Sequence, residues 1–265
     1  MLPVSDWLLP MRPAPDRRPT MSEAWLPTNL HTTVISVGAY AAVFTVAARI
    51  VRAFLFTSSA FGRFQQWRLQ NLTVCLIHSS SVGIASLVAF VCLPEMKGHL
   101  IKAGHPVLTQ IVLCSMGYFV HDAVDMARNE RSRRALELFV HHLFCLVLFA
   151  AVVLTNTFAA GAVFCLLMEV NSITLHIRAI LNLGNYQVAC WVRETVRWGN
   201  LSTFAVFRLV LLGYLSVWFA RNVSNLDCFW FRLLTPNFFF FWITNLVLFK
   251  RVLIADRFIS GAKTK

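Results

Sequence analysis

The sequence predicts an all-α, polytopic membrane helix bundle of about seven transmembrane helices, and three observations carry that prediction. Of the 265 residues, 57% are hydrophobic and only 14% are charged, whereas ordinary soluble domains carry about 25% charged residues. Apolar runs of about 20 residues recur along the chain, the length a helix needs to cross a bilayer core. Basic loops separate these runs, as they do between membrane spans. A soluble fold of this composition would expose far too much apolar surface.

The N-terminal segment, residues 1–30, holds six of the nine prolines, interspersed with Arg12, Arg17 and Arg18. Proline removes a donor and clashes with the preceding turn, so no continuous helix forms here. No uninterrupted apolar core of a signal peptide is present either. The expectation is a disordered lead, with Met21 as an alternative start. A first transmembrane helix, about 31–54, and its loop fill residues 31–60. Six further spans follow, at about 71–93, 106–126, 135–154, 158–181, 201–220 and 229–255. Pro94 stops the second. Pro106 opens the third at a position where proline favours a helix start. The fourth and fifth, joined by Thr155-Asn156-Thr157, are antiparallel neighbours. Pro236 is a candidate break in the seventh. Residues 61–259 thus form one block, and 260–265 form a tail.

Charge sets the orientation. Of the 24 Lys and Arg, sixteen fall at the loops after spans one, three and five and at the C-terminus, and seven on the opposite side. The richer side is cytosolic by the positive-inside rule, which makes the C-terminal "GAKTK" cytosolic. The same distribution explains the net charge of +12 without nucleic acid. Trp67, Trp191, Trp198, Trp218 and Trp230 fall near span ends, as an aromatic belt requires. Asn222-Val-Ser224 is a glycosylation sequon on the non-cytosolic side. Seven scattered cysteines with no CxxC imply no disulfide framework, and nothing calls for a cofactor.

Ionisable residues within spans cost roughly 2.5 kcal/mol or more each at mid-bilayer, so they are candidate functional groups. Span three ends "GYFVHDAVDM", with His121 and Asp125 on one face and Asp122 beside it. Span four begins "ALELFVHHLF", with Glu137 and His141 four apart and His142 adjacent. Antiparallel packing places His121, Asp122, Asp125, Glu137, His141 and His142 in one layer. Span five, "LLMEVNSITLHIR", adds Asn171 and Arg178, with Glu169, Ser172 and His176 sharing a face. Span two adds His78. Three readings compete: a His base oriented by a carboxylate, a metal site, and a polar network that joins helices or binds a lipid headgroup. The network ranks first and the metal last, because adjacent His residues point about 100° apart on a helix. Arg208, in "FAVFRLVLL", either pairs with a span carboxylate or snorkels. "FWFRLLTPNFFFFW" reads as lipid-facing packing, with a sterol or acyl-chain groove as the alternative.

Four stretches in order, "WRLQNLTVCLIHSSSVG", "GYFVHDAVDM", "LELFVHH" and "LLMEVNSITLHIR", resemble the TLC domain. That family includes ceramide synthases, translocation-associated membrane proteins and a calfacilitin-like branch of membrane-fluidity regulators. The likeness spans about 61–259 and is strongest to the last branch, through "W-R-x-x-N", "GYF-x-HD-x-VD" and "ME-V-N-S". Against the ceramide-synthase pattern, His141 and His142 match a catalytic His pair and Gly161 matches a following Gly. Met168-Glu169 stands where a His-Asp pair is expected, and Ser172-Ile173 where a further Asp is expected. The resemblance therefore implies regulation of phospholipid acyl composition and membrane fluidity, limiting the entry of polyunsaturated chains, more than ceramide synthesis. It implies membrane phospholipids as partners and the plasma membrane as location, with the endoplasmic reticulum as the family's other common place. Its enzyme alternative is acyl transfer to an amine-bearing lipid, with His141, His142 and Glu169 as catalytic residues and acyl-CoA as donor. A third alternative is a non-enzymatic modulator of a membrane-protein partner.

Overall fold

The computed structural model describes residues 29–56, 61–93, 96, 100–101 and 105–256. The Pro-rich lead, the alternative start at Met21, the stop at Pro94 and the C-terminal tail lie outside the described residues. Among those described, every regular element is helical, and seven helical spans are long and apolar enough to cross a membrane. They are α1 (Leu30–Phe54), α2 (Arg63–Cys92), α3 (Pro106–Asn129), α4 (Arg133–Thr155), α5 with α6 (Ala159–Leu166, Glu169–Leu183), α7 with α8 (Cys190–Phe204, Leu211–Asn222) and α9 (Cys228–Ala255).

Local chemistry explains the helix starts. The side chain of Asn29 accepts from Thr32 N at 2.9 Å, that of Ser132 from Ala135 N at 3.1 Å and that of Asp227 from Trp230 N at 2.9 Å. Each satisfies a donor that the first turn leaves orphaned. Pro106 sits in the first turn of α3 as anticipated. Asn156 and Phe158, both left-handed, turn the chain sharply between α4 and α5.

Helices α1 and α3 cross closely because residue 117 is glycine; a Cβ there would lie 2.4 Å from Tyr40 Cβ. Helix α2 packs along α6, and α3 along α4. Lipid-facing surface is largest on α1 and α9, where 17% and 11% of the span is buried. Val34, Val43, Phe239 and Ile243 are among the residues left exposed there, which suits hydrocarbon and not water.

Four expectations are corrected. Helix α9 runs through Pro236 without a break; neighbouring groups in membrane helices tolerate the lost backbone bond. The sixth span begins at Cys190 rather than near residue 201. Its first half, "CWVRETVRWGN", is amphipathic, and Arg197 docks it by donating to Asp256 O at 2.9 Å. Of the five tryptophans assigned to an interfacial belt, Trp191 and Trp198 are exposed, but Trp67, Trp218 and Trp230 are buried against other helices. The sequon residue Asn222 is also buried; its side-chain amide donates to Trp218 O at 2.8 Å. That geometry gives a glycosyl-transferring enzyme no access to the nitrogen.

Candidate functional site

The polar residues of the spans turn toward two sets of neighbours, a division that a layer assigned from sequence does not specify. One group ties α1, α2 and α3 together. Asp125 binds Arg52 of α1 and accepts from Trp67 Nε1 at 3.1 Å. His121 turns to α1, its Nδ1 3.1 Å from Thr45 Oγ1. Neither His121 nor Asp125 lines the cavity described below. Glu137, by contrast, lines that cavity together with Arg251 of α9, with which it pairs at an exposed position through contacts of 2.8 and 3.1 Å. Arg178 pairs with Asp256, away from the cavity. Residues four apart on one helix share a face, but one residue of offset, as between Asp122 and Asp125, points a side chain at a different neighbour.

The second group surrounds a cavity of about 720 Å³ formed by α2, α3, α4, α5, α6, α8, α9 and the segment before α8. This size falls in the range of small-molecule pockets. His78, Asp122, His141, His142, Glu169, Ser172, His176 and Arg208 all line it. His142 Nε2 lies 3.8 Å from Asp122 Oδ2, close but beyond hydrogen-bond distance. Both side chains are buried, at 3% and 1% exposure. His142 Nδ1 and Asp122 Oδ2 lack a hydrogen-bond partner among the described residues. His141 stands near Cys145 Sγ at 3.6 Å and meets the edge of Phe241. Among the described residues, no group of three His, Cys, Asp or Glu is arranged to hold a metal ion.

Glu169 reaches the cavity because the fifth span is broken. Leu167 and Met168 form a tightened turn between α5 and α6, with Val170 N bonding to Leu167 O at 3.1 Å. Gly83 of α2 makes the turn's seat: a Cβ there would lie 3.0 Å from Val170 N and 3.1 Å from Glu169 C. Ser79 then donates to Glu169 Oε2 at 2.8 Å, and His78 Nδ1 lies 4.0 Å from the same oxygen. His78 is held by Ser115 at 3.0 Å and stacks on Tyr118 at 3.8 Å.

Several contributors escaped the sequence reading. Asn71 donates to Asp122 Oδ1 at 2.8 Å and to Asp125 Oδ2 at 3.4 Å, bridging the two groups. With Trp67 it completes "W-R-x-x-N": the two residues are four apart, and both donate to the acidic pair of "HD-x-VD". That i, i+4 spacing was the available signal. Arg208 neither snorkels nor forms an ion pair among the described residues. Its Nε donates to Asn171 Oδ1 at 2.7 Å, one terminal nitrogen to Asn245 Oδ1 at 3.1 Å and the other to Ser172 Oγ at 2.9 Å. It sits in a π-helical segment, Ala205–Val210; such segments recur at functional sites because they re-aim side chains within a helix. Asn171 is fully buried in this knot and does not itself line the cavity.

The arrangement offers imidazoles, carboxylates, guanidinium groups and amides facing one space whose remaining lining is largely apolar. It can bind an amphipathic molecule and orient its polar end, and it holds groups of the kind used in proton transfer. Residues 68–254 match the TLC domain profile. The chain is similar to TLC domain-containing protein 2 of Danio rerio, 30% identical over 203 residues, covering 77% of this chain and 82% of that protein. It is similar also to TLC domain-containing protein 1 of Gallus gallus, 32% identical over 200 residues, covering 74% and 77%. A third relative, TLC domain-containing protein 2 of Homo sapiens, is 34% identical over 166 residues, covering 62% of this chain and 61% of that protein.

Proposed function

The chain belongs to the TLC-domain family, and from that premise we propose that it regulates the acyl composition of membrane phospholipids, and through it membrane fluidity, by limiting the incorporation of polyunsaturated chains. The observation that carries this reading is the cavity itself: about 720 Å³ inside a membrane-spanning bundle, with His141, His142, Glu169 and Arg208 among its polar groups and a largely apolar remainder. A space of that kind accommodates an acyl chain together with its oxygen-bearing end. The protein works in the plasma membrane with its C-terminus cytosolic, the orientation favoured by the basic loops; the endoplasmic reticulum is the alternative.

One observation favours a second reading, acyl transfer to an amine-bearing lipid from acyl-CoA. Besides Glu169, which keeps a carboxylate where the His-Asp pair is expected, a second carboxylate, Asp122 from α3, stands 3.8 Å from His142. A carboxylate beside an imidazole fixes its tautomer and supports a general base. In this reading His142 is the base, Asp122 orients it and His141 and Glu169 flank the reacting group.

Acyl profiling of whole-cell phospholipids after loss of the protein, with rescue, tests both. Wild type restores the profile. Leu215→Trp, which fills the apolar end, fails to restore it while reaching normal abundance. If the double variant His141→Ala/His142→Ala also fails at normal abundance, the transferase reading gains; if it rescues fully, that reading falls. If both variants rescue, the cavity is not used, and a modulator of a membrane-protein partner replaces the proposal.

A further inference from the structure

We infer that Arg208 is the receptor for the carboxylate of an unesterified long-chain fatty acid, whose hydrocarbon tail lies in the apolar arm of the cavity. This rests on the reading of the cavity as an acyl-chain site, and adds to it which chemical form of the chain is bound.

The argument begins with donors. A guanidinium carries five N–H groups and no acceptor. Asn171, Asn245 and Ser172 take one each from Nε and the two terminal nitrogens. One N–H therefore remains on each terminal nitrogen, enough to donate two charge-assisted hydrogen bonds to a carboxylate. The three holders are neutral, so they fix the side chain's direction without cancelling its charge. Phe204 supports the guanidinium from one side, 5.6 Å from ring centroid to the charge centre. The carboxylate of Glu169 lines the same cavity, but it is taken by Ser79, faces His78 and forms no ion pair with Arg208 among the described residues. A cation inside a span with no carboxylate in direct contact among the described residues, and only the more distant Coulombic pull of Glu169, is costly, and such residues mark candidate ligand sites.

The direction of the tail follows from the helices. From Arg208 the cavity wall continues through Leu212 and Leu215 on α8, and from Asn245 through Phe241, Phe238 and Leu234 on the antiparallel α9, a mainly apolar stretch interrupted by Thr244 and the buried Asn237. At 1.5 Å per residue, the stretch from Asn245 to Leu234 gives a mainly apolar arm of about 16 Å. An arm that long suits a hydrocarbon chain better than a compact headgroup. A neutral ester carbonyl would occupy the same donors but leave the charge unmatched, which is why the free acid is the preferred form.

The test uses the full chain, purified and reconstituted in phosphatidylcholine nanodiscs, with tritiated oleic acid as tracer. Unlabelled oleic acid is expected to displace the tracer at least about ten-fold more effectively than methyl oleate, the ratio that charge-assisted bonds supply. Arg208→Gln abolishes that preference, and Arg208→Lys recovers only part of it, because an ammonium lacks the fork. Leu215→Trp lowers binding of acid and ester together. The comparison of the two competitors on wild type needs no variant, so a misfolded Arg208→Gln leaves the test intact. Equal displacement by acid and ester overturns the carboxylate inference and leaves the acyl-chain reading standing. Displacement unaffected by Leu215→Trp overturns the placement of the tail. No saturable binding of tracer overturns both the inference and the reading beneath it.

Discussion

Replacing Asn71 by leucine removes a side chain that hydrogen-bonds both Asp122 and Asp125. The amide nitrogen donates to Asp122 Oδ1 at 2.8 Å and more weakly to Asp125 Oδ2 at 3.4 Å, and the amide oxygen accepts from Arg68 at 3.2 Å. Asp125 keeps Arg52 and Trp67. Asp122 keeps nothing as close: its second oxygen lacks a hydrogen-bond partner among the described residues, and its other neighbour, His142, stands 3.8 Å away. Two magnitudes compete. Hydrogen bonds between membrane helices average about 0.6 kcal/mol. Removing a partner from a buried charged group costs more, about 1.5–3 kcal/mol for the bond and up to about 5 where the charge is left uncompensated. With Asp122 only 1% exposed, the larger class applies, and Asn71→Leu is expected to destabilise by about 2–4 kcal/mol. For a chain of this size that is a fall of about 5–15 °C in Tm, read by scanning fluorimetry in detergent. Asp122→Asn, introduced into the same background, restores most of the loss, because a neutral amide has no charge to compensate. A loss near 0.6 kcal/mol with no rescue would refute the reasoning: Asn71 would then be ordinary interhelical glue, and Asp122 would not depend on it.

Three further outcomes are expected. Gly83→Val drives atoms into the backbone of Val170 and Glu169, which cannot swing aside; a loss of about 1–3 kcal/mol, measured as a fall in Tm, accompanies displacement of Glu169, whereas an unchanged Tm would show that α2 is not seated on the broken turn. Glu137→Gln at the exposed Glu137–Arg251 pair costs no more than about 1 kcal/mol despite its two short contacts, and a larger fall in Tm would mean that this pair latches α4 to α9. Cys190 and Cys228 are both exposed, at the starts of α7 and α9 on opposite ends of the bundle. In single-cysteine variants an impermeant maleimide is expected to label Cys228 on intact cells and Cys190 only after permeabilisation, and the reverse pattern would invert the proposed orientation.

The fold was legible because a bilayer imposes a length and an apolar composition that a one-dimensional reading detects. All seven spans appear where runs of apolar residues occur. The reading failed where burial inside the protein replaced contact with lipid. Trp67 lies near a span end and so resembled an interfacial anchor, but its indole N–H is consumed by Asp125. The start of α7 is too polar to register as a span, since its charged face is satisfied by contacts such as Arg197 with Asp256 O. The site was legible in part for a similar reason. His141, His142 and Glu169 are conspicuous because such groups are rare in membranes, and all three line the cavity. Which carboxylate serves which imidazole depends on tertiary rotation: Asp122 turned to His142, while Asp125, three residues on, turned to α1.

Arg208 shows why spacing alone did not reveal the cavity's positive end. A lone arginine in an apolar run invites two explanations, a carboxylate partner or escape to the interface. Both assume that the charge must be neutralised or hydrated. The structure uses neither: Asn171 and Asn245, each 37 residues away in sequence, and Ser172, at 36, hold the guanidinium by neutral acceptors. Neutral holders are inconspicuous in sequence, since asparagine and serine occur in membrane helices for ordinary packing. They are also what a receptor requires. A carboxylate in their place would hold the arginine equally firmly but would cancel the field that an anionic ligand needs. Asn245→Asp therefore discriminates the two roles. If Arg208 is purely structural, a carboxylate at residue 245 strengthens the knot and raises Tm without other effect. If Arg208 receives an anion, the same substitution keeps or raises Tm while binding of oleic acid falls toward that of methyl oleate.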